Sequence, residues 1–393
     1  MTAAPLTQPV VRDERLNALR HTLTAHSEAE PVAPARPEEL LALDGPATAG
    51  LRATAQRDWR RFDPLLLRLH YRRNRAYSGE ERARILEFLA MVYANTADAR
   101  YLNEFLWFEQ DADEVLAALC RGLFQEGLDS RGVHRFPIAS PQEIGDTLAE
   151  INARAKASPP RQPPKTFRIG LLGNPHAFTG LHGRLAARGH TPRIYFFTYE
   201  TSVWKRRIKG NPVLARLAFL AKGCALPYTT IRNHYKDEAI RGILANESLD
   251  LGIQRVPFIV KNHIIEPFRV GLLNGHLAAL PFVRGRSSVE FSVLHGVAVG
   301  STVHFVDEGV DTGPIVKNYV RPWKDWGCTT VDALKAAVTA RTSACFLDAV
   351  RLLSEREVTP APNPPERGLQ YFTMHPALTR YVESRILQRT DVA

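Results

Sequence analysis

The chain has 393 residues, 45% of them hydrophobic, which is enough for two or three packed domains. The N-terminus has no apolar signal region, and no stretch approaches a membrane span, so a membrane partner is not expected and the cytoplasm is the default compartment. Four scattered cysteines without a CxxC fit reduced structural thiols, not a metal centre or a disulfide framework. The net charge of +10 is uneven: residues 1–165 hold 22 Lys+Arg against 23 Asp+Glu, the remainder 29 against 18. A basic surface on the second part favours anionic ligands, and a generally basic surface without a partner stays open beside that reading.

Residues 1 to about 45 are rich in Pro, Ala and charge, with a short helix expected at 12–24. From about 47 to 157 the pattern is helical, over 54–71, 79–94, 99–108 and 113–124. Ile85, Phe88, Leu89 and Val92 share one face of the second helix; Ser78-Gly-Glu-Glu starts it, and Thr96 or Asp98 caps the next. The aromatics Tyr93, Tyr101, Phe105, Trp107 and Phe108 read as core, and the basic run at 70–75 as a solvated helix end. No catalytic constellation stands out in this part. The proline-rich stretch 158–165 reads as a linker between an N-terminal helical domain, 1–157, and the rest of the chain.

An α/β pattern then begins: a strand at 167–172, a turn at Asn174-Pro175-His176, a helix at 180–188 and a strand at 193–199. Strand, turn, helix, strand is the start of a doubly wound, mostly parallel sheet. The first turn lacks G-x-G-x-x-G, so a nicotinamide cofactor is not supported. The basic run at 205–209 reads mainly as a solvated helix face. Next come a strand at 225–228, a helix at 234–245 and a strand at 249–253, the last running into Gln254-Arg255-Val256. A short helix or turn at 264–268 precedes a strand end at 272–274, a helix at 289–296 and strands at 301–306 and 315–320. A helix at 330–355, a second proline-rich connector at 360–365 and a last helix at 378–387 complete the chain. The catalytic domain is placed at 166–325 and a small C-terminal helical extension at 326–393.

The stretch from Gly271 to Val316 carries the chemistry. Asn274 and His276 lie two apart, so on a strand both point to one side. Asp311 comes later, in Gly309-Val310-Asp311-Thr312-Gly313. An amide, an imidazole and a carboxylate brought together can shuttle a proton and stabilise an oxyanion.

The ordered set Asn274-x-His276, Leu280-Pro281, Arg284-Gly285, Thr302-x-His304 and Asp311-x-Gly313 resembles the signature of the folate-dependent formyltransferase family. The resemblance reaches back to about Phe167, loosely forward to the C-terminus, and does not cover the first 165 residues. It departs at Gly275, where the family usually carries an apolar residue, a change that would loosen the strand end. It implies transfer of a formyl group from 10-formyltetrahydrofolate to a primary amine, with no metal. Asn274 and a protonated His276 would donate to the developing oxyanion, and Asp311 would keep His276 charged and relay the amine's proton. Thr302 and His304 would support the centre.

Under the same resemblance, Gln254, Arg255, Val256, Leu280, Val306, Asp307, Glu308 and Gly309 would hold the folate. Asn174, His176 and Arg284 would face the amine, though Asn174 and Pro175 alone would also simply shape a turn. The substrate expected is a small, anionic or phosphorylated amine: an amino-sugar nucleotide or a modified amino acid of specialised metabolism. Three other readings stay open: a 10-formyltetrahydrofolate hydrolase, a tRNA-acting formyltransferase and a non-catalytic folate- or nucleotide-binding regulator. Nucleic acid is disfavoured, because no further length of about 100 residues remains for a C-terminal barrel. A homo-oligomer is left open.

Overall fold

The structure is a computed structural model, described for residues 58–96, 98–109, 136–154, 165–198, 211–355 and 359–387. The helices expected at 12–24 and 113–124, the basic run at 205–209 and nearly all of the linker at 158–165 lie outside these residues. The chain divides into two compact units. One takes in the residues up to Pro137 together with Phe372–Ile386, the other Ile138–Tyr371.

In the first unit, a 3-10 turn at Trp59–Phe62 leads into α1 (Asp63–Arg72), then α2 (Gly79–Thr96) and α3 (Ala99–Phe108). Ser78 and Glu81 bond reciprocally, side chain to main-chain N–H, and so close the start of α2. Asp98 caps α3 through the Arg100 amide at 3.0 Å and is fully buried against the Arg100 guanidinium at 2.7 Å. Ile85, Phe88, Leu89 and Val92 are buried together with Tyr93 and Tyr101, as their helical spacing predicts. His70 stacks on Phe372 at 4.2 Å and bonds Glu104 at 3.1 Å, so this member of the basic run is an internal group.

The second unit begins with α4 (Pro141–Arg154). Then come β1 (Arg168–Gly173), α5 (Thr179–Ala186), β2 (Thr191–Phe197), α6 (Pro212–Ala221), β3 (Thr229–Ile231), α7 (Ala239–Ala245), β4 (Leu251–Arg255) and α8 (Asn262–Ile265). β5 (Gly271–His276), β6 (Val283–Gly285), α9 (Ser288–Leu294), β7 (Val299–Phe305), β8 (Ile315–Arg321), α10 (Val331–Glu355) and β9 (Leu369–Tyr371) complete it. Seven strands form one sheet in the order β3-β2-β1-β4-β5-β7-β8, while β6 and β9 pair separately. Pairing is parallel from β3 to β5 and antiparallel from β5 through β7 to β8. The fold is thus the expected doubly wound, mostly parallel sheet with helices.

Both faces of the sheet are covered, which explains the continuous apolar runs of its strands. One face packs Ile169, Leu171, Ile253 and Leu273 beneath α5 and α10; the other packs Leu172, Tyr195 and Leu272 beneath α7 and α8.

Three boundaries differ from the sequence reading. Residues 138–154 group with the sheet and not with the helical domain, because Ile151 of α4 is buried with Leu280, Ile315 and Ala361. α10 is part of the sheet unit and not of a separate extension: its Cys345, Phe346 and Val350 lie in the core under the strands. Residues 372–386 group instead with the helical unit, where Asn103 donates to the Thr373 carbonyl and accepts from the His375 amide.

Gly275 has a packing reason. A Cβ there would stand 2.6 Å from Thr342 Cγ2 and 2.8 Å from the Phe346 ring, both on α10. The missing side chain lets α10 close onto β5, and the strand end stays paired, His276 opposite Thr302. Gly275→Ala is therefore expected to destabilise the sheet unit by about 1–3 kcal/mol through overpacking. Thermal unfolding of the variant checks this; an unchanged melting temperature would refute it.

Candidate active site

The switch from parallel to antiparallel pairing at β5 builds the site. Gln254 on β4, Asn274 on β5 and His304 on β7 are successive cross-strand neighbours, so their side chains stand in one row on one face. His276, two residues on, extends that face beyond the row. Asp311 arrives from the β7–β8 loop.

The cluster is held by short contacts. Asn274 Nδ2 donates to Asp311 Oδ1 at 3.0 Å and lies 3.2 Å from His304 Nε2. Asn274 Oδ1 accepts from Gln254 Nε2 at 2.7 Å. Asp311 Oδ2 accepts from the Gly285 main-chain N–H at 2.9 Å and stands 3.3 Å from His276 Nδ1. His304 Nδ1 donates to the Phe305 carbonyl at 2.7 Å, which leaves Nε2 as acceptor for Asn274 in the uncharged ring.

Asp311 sits in a left-handed backbone conformation, φ +54°, which Asp tolerates better than most side chains. Gly285, at φ +87°, turns its N–H onto that carboxylate. Asn363 pins the loop from the far side: its Nδ2 donates to the carbonyls of Asp311 and Gly313, each at 2.9 Å.

Burial alone would raise the Asp311 carboxyl; His276 and His304 when they carry the extra proton, and the Gly285 amide, outweigh it and hold the group well below the usual carboxylate range. Burial pushes the His276 imidazole below its ordinary value; Asp311 opposes this, while His304 and Arg284 add to it. The expectation that Asp311 keeps His276 charged is corrected on this point: desolvation of the buried ring is the larger effect. The Gly285 and Asn274 bonds to Asp311 act whatever the charge on His276, so Asp311 is the ionised partner. His276 Nε2 lies 2.8 Å from the Val283 carbonyl, so Nε2 carries the hydrogen in the uncharged ring. Nδ1 then faces Asp311 with a lone pair, where a second proton would be bonded on arrival.

Asn274, His276 and Asp311 therefore converge, with His304 and Gln254 beside them. Other residues singled out in the sequence fall elsewhere. Leu280 is fully buried with Ile151, Ile315 and Ala361, so it is core and not a ligand contact. Arg255 donates to the Ala177 carbonyl and Ser343 Oγ, with its guanidinium over Phe178 and Phe346. Arg284 is buried and donates to the carbonyls of Pro365 and Gly368, tying down the segment before β9 and not facing a substrate. Asn174 caps the 3-10 turn through the His176 amide, the turn-shaping role; the His176 side chain is exposed.

Asp307 accepts from Gly309 N and Thr312 Oγ1, which shapes the loop, and Glu308 accepts from Asn262. Val256 and Val306 are partly buried and pack on the core beneath α7 and α8 together with Phe258. Thr302 Oγ1 donates to the Ala278 carbonyl and so fixes the turn after β5. Asn363 escaped the sequence reading because it lies in a connector marked only by its prolines. Among the described residues, no group of three or more His, Cys, Asp or Glu is placed to hold a metal ion.

The formyl transferase family matches residues 233–349, a span that contains Asn274, His276, His304 and Asp311. The methionyl-tRNA formyltransferase of Deinococcus radiodurans is 31% identical over 153 residues, 38% of this chain and 46% of that protein. That of Trichodesmium erythraeum is 27% identical over 176 residues, 44% of this chain and 51% of that protein. The chain thus spans about half the length of these curated relatives. Glycinamide ribonucleotide transformylase 1 from Symbiobacterium toebii overlays 49% of this chain and 89% of its own, at 22% identity and a TM-score of 0.38. The similarity to formyl transferases thus rests on residues 233–349, about a third of the chain.

Proposed function

We propose that the protein transfers a formyl group from 10-formyltetrahydrofolate to a primary amine of a small metabolite. The observation that carries this reading is the meeting of Asn274, His276 and Asp311 at the end of β5, inside the matched domain. Residues 254–256 and 306–309 would flank the folate, with Val256, Phe258 and Val306 as its apolar contacts. The folate supplies the activated formyl group and leaves as the free amine.

The chain's own groups do the rest. Both Asn274 amide hydrogens have internal partners. To stabilise negative charge on the formyl oxygen, Asn274 gives up the longer of them, the His304 contact. A donor aimed at a developing oxyanion in a dry site is worth about 3 kcal/mol of barrier. In this reading His276 takes the attacking amine's proton at Nδ1 and returns it to the departing folate nitrogen, while the ionised Asp311 stabilises the intervening imidazolium. Asp311 is a poor base itself, because its partners hold it ionised.

The acceptor is a small amine in this reading, and the basic excess after residue 165 favours an anionic one. The curated relatives named as methionyl-tRNA formyltransferases give a second reading, an aminoacyl-tRNA acceptor. One assay separates the candidates: the full chain with 10-formyltetrahydrofolate and a panel of amino-sugar nucleotides, amino acids and methionyl-tRNA. Mass spectrometry of a formylated product identifies the acceptor. Formate release without an amine would mark a hydrolase, and no turnover with any member would overturn the reading.

Asn274→Ala is expected to lower kcat on the order of 10²–10³-fold with the donor's KM little changed. Unchanged turnover would remove Asn274 from the reaction. A pH profile tests His276. With the ring as base, kcat/KM falls about tenfold per pH unit on the acid side of the ring's lowered value, and this limb disappears in His276→Gln. Activity that rises with acidity there would instead make the charged ring a donor. Stability moves in the same sense. The unfolded ring titrates at about pH 6.5, the folded one lower, so the unfolded state binds more protons and stability falls as pH drops through that window. Asp311's contribution persists above about pH 4 and is lost as pH falls through its lower folded value. Thermal melts of wild type and His276→Gln from pH 8 to 5 are expected to converge as pH falls.

A further inference from the structure

The amide of Asn274 has two ends of nearly equal shape and opposite hydrogen-bonding character. Only one orientation presents hydrogens toward Asp311 and His304. Reversed, the carbonyl oxygen would face a carboxylate, and the centre would be repelled apart. The ionised Asp311 selects the first orientation from one side, and the strands supply a chain of bonds that selects it from the other. The main-chain N–H of Val256 donates to Gln254 Oε1 at 3.0 Å. Gln254 Nε2 donates to Asn274 Oδ1 at 2.7 Å. Asn274 Nδ2 then presents its two hydrogens, to Asp311 Oδ1 at 3.0 Å and to His304 Nε2 at 3.2 Å. A main-chain N–H can only donate, so each link dictates the next. Gln254 is the link between the backbone and the reaction centre.

We infer that Gln254 is a positioning residue that sets which end of the Asn274 amide faces Asp311, His304 and the reacting carbonyl. This rests on the formyl-transfer reading for its consequence in catalysis, but the orientation itself rests only on the bond chain. Gln254 uses its Oε1 on Val256 and one Nε2 hydrogen on Asn274, so both ends of its amide take part in the chain. The register of β4 on β5 makes it possible, by placing Gln254 directly opposite Asn274.

Two substitutions give opposite expectations for orienting and for filling space. Gln254→Glu keeps the shape and still accepts from Val256, but it turns a donor into an ionised acceptor against Asn274 Oδ1. Gln254→Met keeps approximate volume and does neither. If Gln254 orients Asn274, the Glu variant at pH 8 is the worse of the two: about a hundredfold down in kcat, against about tenfold for Met, with the donor's KM within about twofold in both. As pH falls toward 5, the introduced carboxylate takes a proton, regains a donor and recovers activity relative to the Met variant. Melting temperatures are expected to show the same order at pH 8, the Glu variant below the Met variant, and to draw together at pH 5.

This second readout needs no turnover. An inactive wild type would therefore overturn the formyl-transfer reading while leaving the orientation to be decided by the melts. A Gln254→Glu protein that equals or exceeds Gln254→Met at pH 8, in melting and in rate, would overturn the orienting role.

Discussion

A carboxylate that is nearly buried has to be matched by donors or it drives its surroundings apart. Asp311 meets that demand with the Asn274 amide on one oxygen and the Gly285 main-chain N–H on the other; His276 and His304 stand beside it and add to the match only when protonated. The partners come from three pieces of the fold: Asn274 and His276 from β5, His304 from β7 and Gly285 from β6. The carboxylate therefore ties together segments that are far apart in the chain. Its own position depends in turn on a left-handed turn and on Asn363, which holds the two carbonyls around it. Removing Asp311 would leave an amide and two imidazoles with no common anchor.

The same arrangement explains how a stable cluster can be reactive. Every polar atom of Asn274 and Asp311 has a partner, so the site is not strained by orphaned groups. The contacts are unequal, however. The firm ones fix the geometry: Gln254 to Asn274, Asn274 to Asp311, Gly285 to Asp311. The longer ones are His304 to Asn274 and His276 to Asp311, and in the proposed reaction these are the contacts that rearrange. In a low-dielectric setting, exchanging a weak internal bond for one to a developing charge favours the transition state over the ground state. The balance of charge serves the same end: an ionised Asp311 beside an uncharged His276 is ready to receive one proton.

Much of this is readable from residues alone. The order of strands and helices from 167 onward comes from buried apolar runs and turn signals, with β3 displaced by four residues because Ala225–Tyr228 is apolar enough to pass for the strand. Asn274 and His276 are legible because a period of two puts them on one side, and Asp311 because its spacing fits the formyltransferase pattern. What stays hidden depends on tertiary distance. Nothing local shows that Leu280 enters the core with Ile151, that Arg284 bonds two carbonyls and Arg255 a carbonyl and a hydroxyl, or that Asn363 reaches the Asp311 loop across 52 residues. The charge of His276 is misread for the same reason: proximity to a carboxylate is visible in a motif, but the depth of burial is not. Gly275 resembles a loosened strand end until the approach of Phe346 supplies its cause.

The central claim is that Asn274 and Asp311 act as one unit. The most direct test is a double-mutant cycle on kcat/KM for formyl transfer, with Asn274→Ala, Asp311→Ala and the combination. Residues that act together are non-additive, so the double variant is predicted to lose about as much as the more damaging single one. Losses that multiply, as for independent sites, would contradict the account.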